Sequence, residues 1–208
     1  LQANTTACEN TAVGYVALST NTTGTANVAV GRGALQVSTT ASDNTALGYN
    51  SLTENTTGTS NVAIGATALD ANTTASGNTA VGRSSLGNNT TGHSNTAVGC
   101  VALLTNTTGN YLTGFGHGAA KCNTTGSDST AIGADAMERV TTGSQNTGVG
   151  RLAGKGVTSG NGNTYLGFIA GCNITTGCYN TYVGAETGSS SATVLFEQVF
   201  GRGGTGKG

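Results

Sequence analysis

The stretch Asn10-Thr-Ala-Val-Gly14 decides the fold, because it returns as Asn27-Val-Ala-Val-Gly31 and again as Asn44-Thr-Ala-Leu-Gly48. The returns are 17 residues apart, and neither an insertion nor a deletion interrupts the series. With this Asn as position one, the units begin at Asn10, Asn27, Asn44, Asn61, Asn78, Asn95, Leu112, Ser129, Asn146, Asn163 and Asn180, and Glu197 opens a partial last unit. The 208 residues therefore form a single repeat array, residues 1–208, with no room for a separate folded domain.

Position five of the unit is glycine in every repeat, which predicts a chain corner there. Glycine permits a positive φ and the close approach of a neighbouring backbone, both of which a side chain would block. The corner glycines are Gly14, Gly31, Gly48, Gly65, Gly82, Gly99, Gly116, Gly133, Gly150, Gly167, Gly184 and Gly201.

The unit is too short for two packed helices with their loops, and its Thr-Ala-Val and Asn-Thr-Thr stretches favour strands. One coil per unit would satisfy the backbone by pairing each strand with its equivalent in the next coil, about 4.8 Å away. The sequence therefore predicts an all-β fold, a parallel β-solenoid (β-roll) of about twelve 17-residue rungs and roughly 55 Å in length.

The large apolar side chain at position four predicts the core stripe, in a core shared with positions nine and twelve. Where position nine shrinks from Leu to Ala120, position four grows to Phe115. Where position nine becomes Gly154 and Gly171, position twelve changes from Asn to Val157 and Ile174. Such volume-conserving exchange is expected between packed neighbours. The change at position twelve divides the array into residues 1–128, with an Asn ladder, and residues 129–208, with Val or Ile in its place and a Gly-rich end.

Composition excludes several classes of protein. Charged residues are 8% of the chain and the net charge is -1, so nothing favours nucleic acid or an anionic membrane as a partner. Apolar runs are too short for membrane insertion. The chain starts at Leu1, from which we expect a processed chain or a fragment.

The segment Asn61-Val-Ala-Ile-Gly-Ala-Thr-Ala-Leu69 resembles the head repeats of trimeric autotransporter adhesins. Asn21-Thr-Thr-Gly24 followed by Asn27-Val-Ala-Val-Gly31 is similar to the repeats of bacteriophage tail-fibre-like proteins. The resemblance covers nearly the whole chain. It implies a parallel β-roll on an extracellular or virion fibre, often trimeric, with a role in attachment.

The position-twelve asparagines have two interpretations, an N-glycosylated rod and a stacked ladder of side-chain amides. A ladder is favoured, because exchange with Val and Ile indicates an inward side chain. The candidate glycosylation sites are Asn4, Asn21, Asn55, Asn72, Asn88, Asn89, Asn106, Asn123 and Asn173.

Two exposed arrays are candidate binding surfaces. Thr at positions thirteen and fourteen could form an ice-binding plane, although Thr is also simply a good strand residue. Position six follows the Gly corner and could bind sugars or a protein partner through Arg and aromatic side chains, or be ordinary surface decoration. This candidate ligand stripe comprises Tyr15, Arg32, Tyr49, Arg83, His117, Arg151 and Phe168.

No catalytic, metal or cofactor site is predicted. The five cysteines form no CxxC pair, and His93 and His117 fall at different repeat positions. Cys172 and Cys178 lie in one rung and are a candidate disulfide, whereas an intermolecular bond between Cys8 and Cys178 is disfavoured. The segment Gly201-Arg-Gly-Gly-Thr-Gly-Lys207 lacks the Ser or Thr and the helix of a phosphate-binding loop.

The sequence thus predicts a non-enzymatic structural subunit of an extracellular fibre, at a cell surface or on a virion. Its expected partner is itself, as a homotrimer or as a head-to-tail filament with an axial repeat of roughly 58 Å, because neither end carries a cap. A fragment of a longer repeat protein is the alternative explanation for uncapped ends. An adhesin or tail-fibre module that binds surface glycans or a receptor is the alternative function, and ice binding a distant one.

Overall fold

The computed structural model describes residues 2–203, and within them every strand belongs to one parallel sheet of twelve strands in sequence order. The strands are β1 Thr11–Val13, β2 Val28–Val30, β3 Thr45–Leu47, β4 Val62–Ile64, β5 Thr79–Val81, β6 Thr96–Val98, β7 Thr113–Phe115, β8 Thr130–Ile132, β9 Thr147–Val149, β10 Thr164–Leu166, β11 Thr181–Val183 and β12 Gln198–Phe200. The predicted β-solenoid is confirmed. Within the described part of the chain, no helix is long and apolar enough to cross a membrane.

Each strand pairs with the equivalent strand of the next rung, in the register set by the repeat. Thr79, Ala80 and Val81 lie opposite Thr96, Ala97 and Val98. The ladder continues past the strand ends, as the Thr79 N–H donates to the Asn95 carbonyl at 2.8 Å. Rung-to-rung pairing therefore satisfies the backbone, as the sequence predicts.

The position-five glycines are corners for both of the reasons that the sequence suggests. Their φ angles lie between 123° and 143°, a region that side chains disfavour. A Cβ atom on Gly65 would lie 2.6 Å from the carbonyl oxygen of Gly82, one rung above. These glycines allow successive corners to stack directly on one another.

Left-handed backbone also occurs at positions seven, nine and seventeen, where most residues are not glycine. Leu69 at position nine has a φ of 51°, and Thr67 at position seven has a φ of 54°. A left-handed residue with a side chain costs roughly 1–2 kcal/mol. Leu69 is fully buried, and we infer that its burial offsets this cost.

The core differs from the prediction at position four. Position three points inward, as at Ala46, which is fully buried, while its neighbour Leu47 at position four is 45% exposed. Successive strand residues point to opposite faces, so Thr45 and Leu47 share the outward side. The buried core consists of positions three, eight and nine with the inward side chains of position twelve. The predicted inward positions nine and twelve are confirmed, and the predicted core stripe at position four is wrong.

The compensating exchanges are also different from those predicted. Phe115 is 54% exposed, so it does not fill the volume lost at Ala120. In this rung Leu112 replaces the position-one Asn and its side chain enters the core. Tyr165 at position three lies between Gly154 and Gly171. A Cβ atom on Gly154 would lie 2.6 Å from the Tyr165 ring. The small residue at position nine is therefore matched by a large residue at position three.

Two asparagine ladders run along the rod, perpendicular to the strands, and join equivalent positions of successive rungs. At position twelve, the Asn72 amide donates to Asn55 Oδ1 at 3.0 Å and to the Ala75 carbonyl at 3.0 Å. At position one, Asn61 donates through its backbone N–H and its side chain to Asn44 Oδ1, at 3.0 and 3.2 Å. Burying these amides is tolerated because most of their polar atoms have partners. The predicted position-twelve ladder is confirmed, and the position-one ladder is an additional finding.

Candidate functional site

The outward side of the sheet carries the side chains of positions two and four, which we name the strand face. Position four supplies an apolar column with one member on every strand, and position two supplies mostly Thr. The exposed fractions of the position-four side chains include 45% at Leu47, 54% at Phe115 and 46% at Leu166. The column consists of Val13, Val30, Leu47, Ile64, Val81, Val98, Phe115, Ile132, Val149, Leu166, Val183 and Phe200.

The strand face carries no charged residue at position two or four of any strand. Parallel pairing at about 4.8 Å per strand spaces its members evenly over about 53 Å. Six of its twelve apolar side chains are exposed and the other six are partly exposed. An apolar column of this length at the surface is unusual on a protein that acts alone, and such surfaces mark sites of association. The strand face is therefore the strongest candidate site on the described part of the molecule.

Sequence reasoning assigned this column to the core and so missed it as a surface. The available signal was the exchange at position three, where Tyr165 and Tyr182 appear in the rungs that carry glycine at position nine. Residues that exchange volume with position nine must face it, and this places position three inside and position four outside.

The position-six side chains of the candidate ligand stripe are all exposed, but they form separate groups. Arg32 lies between Tyr15 and Tyr49, with its guanidinium carbon 5.9 Å and 5.4 Å from the two ring centroids. Its Nη1 also donates to the Tyr49 hydroxyl at 3.0 Å. A second pair joins Arg151 to the ring of Phe168 at 5.7 Å.

The remaining stripe residues make different contacts. His117 Nδ1 is 3.5 Å from Asp135, and Arg83 Nη2 is 3.4 Å from Cys100 Sγ. Alanine at position six of three rungs, as at Ala66, leaves gaps between the groups. The seven side chains are therefore not one continuous surface.

Comparison of the chain with protein-family profiles, curated proteins and solved structures finds no match. The repeating parallel β-solenoid stands on the structure itself. The resemblance to adhesin heads and tail-fibre repeats stays a hypothesis.

The candidate glycosylation sites divide by exposure. Asn4 at position twelve is exposed, and so are Asn88 and Asn173 at position eleven. The other six candidates, all at position twelve, are buried. Asn89, for example, uses its amide nitrogen to donate to Asn72 Oδ1 at 3.1 Å and to the Gly92 carbonyl at 2.8 Å. A glycan on a buried amide would require the ladder to open. The buried candidates are Asn21, Asn55, Asn72, Asn89, Asn106 and Asn123.

The candidate disulfide between Cys172 and Cys178 is not formed, and all five cysteines, which lie within residues 2–203, are free thiols. Cys178 lies at position sixteen, where its sulfur accepts the backbone N–H of Asn161 at 3.3 Å. Ser144 accepts the N–H of Ser127 in the same way. Cys172 lies at position ten and donates to Asn173 Oδ1 at 3.1 Å. The two thiols therefore belong to different side-chain columns.

The two Thr columns also have different environments. At position thirteen the hydroxyls donate along the rod, as Thr56 does to the Thr73 carbonyl at 3.0 Å. At position fourteen the side chain is exposed, as at Thr57. The internal hydrogen bonds support the structural interpretation of position thirteen.

Among residues 2–203, no group of three or more His, Cys, Asp or Glu side chains could hold a metal ion. Most of the phosphate-loop-like tail, residues 204–207, lies outside the described residues.

Proposed function

We propose that this protein is a non-enzymatic structural subunit of an extracellular fibre, whose chains associate side by side through the strand face. The observation that carries this proposal is the unbroken apolar column on every strand from β1 to β12. A surface that repeats with the rung spacing suits a partner with the same spacing, and a second copy of this chain has it.

Energetics support association through this face. Covering the exposed half of a Val or Leu side chain contributes about 1 kcal/mol. Six of the twelve are exposed to about this degree, and on each chain they would contribute about 6 kcal/mol before the entropy cost of association is subtracted. The outward Thr hydroxyls of position two remain able to bind water or a partner, and no charge has to be buried.

The proposal also includes three parts of the sequence-based prediction. These are the extracellular location at a cell surface or on a virion, the homotrimer and the head-to-tail filament. The side-by-side contact requires none of them.

Replacing Leu47 and Leu166 together by Glu tests the proposal. We expect wild-type protein to sediment as an oligomer and the double variant as a monomer with an unchanged far-ultraviolet spectrum, because two charges would have to be buried at the contact. Thr57→Glu, an exposed change at position fourteen, is the control and should keep the oligomer. A monomeric wild type at the concentrations used for assembly would contradict the proposal.

An adhesin module is the second candidate function, and the group of Tyr15, Arg32 and Tyr49 favours it. Aromatic and Arg side chains dominate binding hot spots, and this group is ordered by its own cation–π contacts. A glycan array should then show binding that is lost on Arg32→Ala and on Tyr49→Ala but kept on Arg83→Ala. Binding that is equally sensitive to all three variants would contradict a site at this group.

A further inference from the structure

A groove of about 190 Å³ lies on rungs eight to ten, on the side formed by positions seven, ten and eleven. It follows the position-five corner and lies apart from the strand face. Position eleven is glycine only at Gly156, so a side chain is missing there while Arg139 and Asn173 stand at the same position one rung away on either side. The groove is lined by Arg139, Leu152, Lys155, Gly156, Ile169 and Cys172.

Its apolar wall consists of Leu152 and Ile169, which follow one another in the position-seven column. Both have left-handed backbone, with φ angles of 61° and 56°. Such a conformation costs roughly 1–2 kcal/mol for a residue with a side chain and is rare for a β-branched one. Large apolar residues occur at position seven in other rungs only singly, at Val16 and Val101. Two together, partly exposed and strained, indicate a surface that an apolar group can cover.

The cationic part of the groove contains one paired and one unpaired charge. Lys155 Nζ is 3.1 Å from Glu138 Oε2, so its charge is largely matched. Arg139 is exposed, and its guanidinium makes no hydrogen bond or ion pair with any residue in the range 2–203. A free guanidinium binds a carboxylate through two parallel hydrogen bonds.

We propose that this groove binds an organic carboxylate of about the size of one sugar ring. Its carboxylate pairs with Arg139, and its less polar face covers Leu152 and Ile169. On a fibre that meets surface polysaccharide, an acidic sugar unit has this chemistry. An alkyl carboxylate shares it, and the test separates the two sources.

Alkylation of the two exposed thiols provides the readout. Cys172 lines the groove and Cys8 lies many rungs away, so mass spectrometry of one sample follows a site thiol and a control thiol together. Glucuronate should slow alkylation of Cys172 at least about threefold and leave Cys8 unchanged, and glucose should affect neither. Protection by octanoate without protection by glucuronate would overturn the assignment to an acidic sugar.

Two variants test the assigned contacts. Arg139→Gln should weaken glucuronate protection about tenfold or more, since it removes a charge-assisted hydrogen-bonded pair. Ile169→Ser should weaken it as well, and the fold accepts Ser at this position, because Ser84 occupies position seven with a φ of 55°. Arg83→Gln, a change at position six, should leave protection unchanged. No protection of Cys172 by any carboxylate, or protection that survives Arg139→Gln, would overturn the proposal whether or not the chains associate through the strand face.

Discussion

At the scale of single residues, two buried tyrosine hydroxyls differ in whether they have a hydrogen-bond partner. Tyr165 and Tyr182 stack inside the core with ring centroids 5.8 Å apart. The Tyr182 hydroxyl donates to the Glu197 carboxylate, whereas the Tyr165 hydroxyl is buried without a partner among the described residues. Burial raises the pKa of both phenols, so both stay protonated at neutral pH.

Removing the two hydroxyls should therefore have opposite effects. Tyr165→Phe should leave the free energy of unfolding unchanged or increase it by up to about 1 kcal/mol, because an unpaired polar group leaves the core. Tyr182→Phe should lower it by about 2 kcal/mol, because a hydrogen bond to a charged group is lost. Urea unfolding of the two variants measures the difference. An equal loss in both would contradict the hydrogen-bond assignment.

The Glu197 carboxylate makes part of the stability depend on pH. Burial acts to raise its pKa, but hydrogen bonds from Tyr182, Ser189 and Ser190 outweigh burial and leave the pKa below its ordinary value. The unfolded chain binds this proton near pH 4.3, so the contribution is present above that pH and is lost as pH falls through the lowered pKa.

Thermal unfolding between pH 7 and pH 3 tests this linkage. Wild type should melt above Glu197→Gln at pH 7, and the two melting temperatures should converge on acidification. A difference that stays constant over this range would show that the carboxylate charge contributes nothing.

At the scale of the element, the three-residue strand and its glycine corner repeat as one unit, and much of this unit was predictable from sequence. The 17-residue period predicted the register, and the invariant glycine predicted the corner. The strand residues alone do not predict which side is buried, because Thr-Ala-Val has a period of two in either case, and only the exchange at position three, at Tyr165 and Tyr182, carries that signal. The narrow interior decides it, since Leu at position nine leaves little room at position three: a Cβ atom on Gly114 would lie 3.0 Å from Leu103 Cγ.

Two glycines with positive φ in the same rung should differ in their tolerance of a side chain. Gly65→Ala should lower the free energy of unfolding by several kcal/mol, because its Cβ would lie 2.6 Å from the Gly82 carbonyl. Gly77→Ala should cost about 1 kcal/mol or less, since its nearest neighbour is 3.6 Å away and Ala26 occupies the same repeat position. Equal losses in a denaturant titration would contradict the stacked-corner geometry.

At the scale of the whole molecule, twelve coils place every repeat position in its own column along a rod. The residue type at each position therefore determines the chemistry of its column. The strand face is uncharged and largely apolar, parts of position six are aromatic and cationic, and the amide ladders lie inside. The sequence predicted which residues stack along the rod. It did not predict which columns contact each other across the interior of the coil, because those contacts depend on the shape of the cross-section. For the same reason, the groove beside Gly156 follows from three adjoining columns that no linear motif connects.

Adjacent residues of β5 test whether position three faces the core and position four faces a second chain. Ala80→Asp should abolish the cooperative thermal transition, because it buries an unpaired charge in a fully buried column. Val81→Asp should keep the transition and the β spectrum while shifting the sedimenting species from oligomer toward monomer. Loss of the fold in Val81→Asp together with a stable Ala80→Asp would show that position four, and not position three, faces the core.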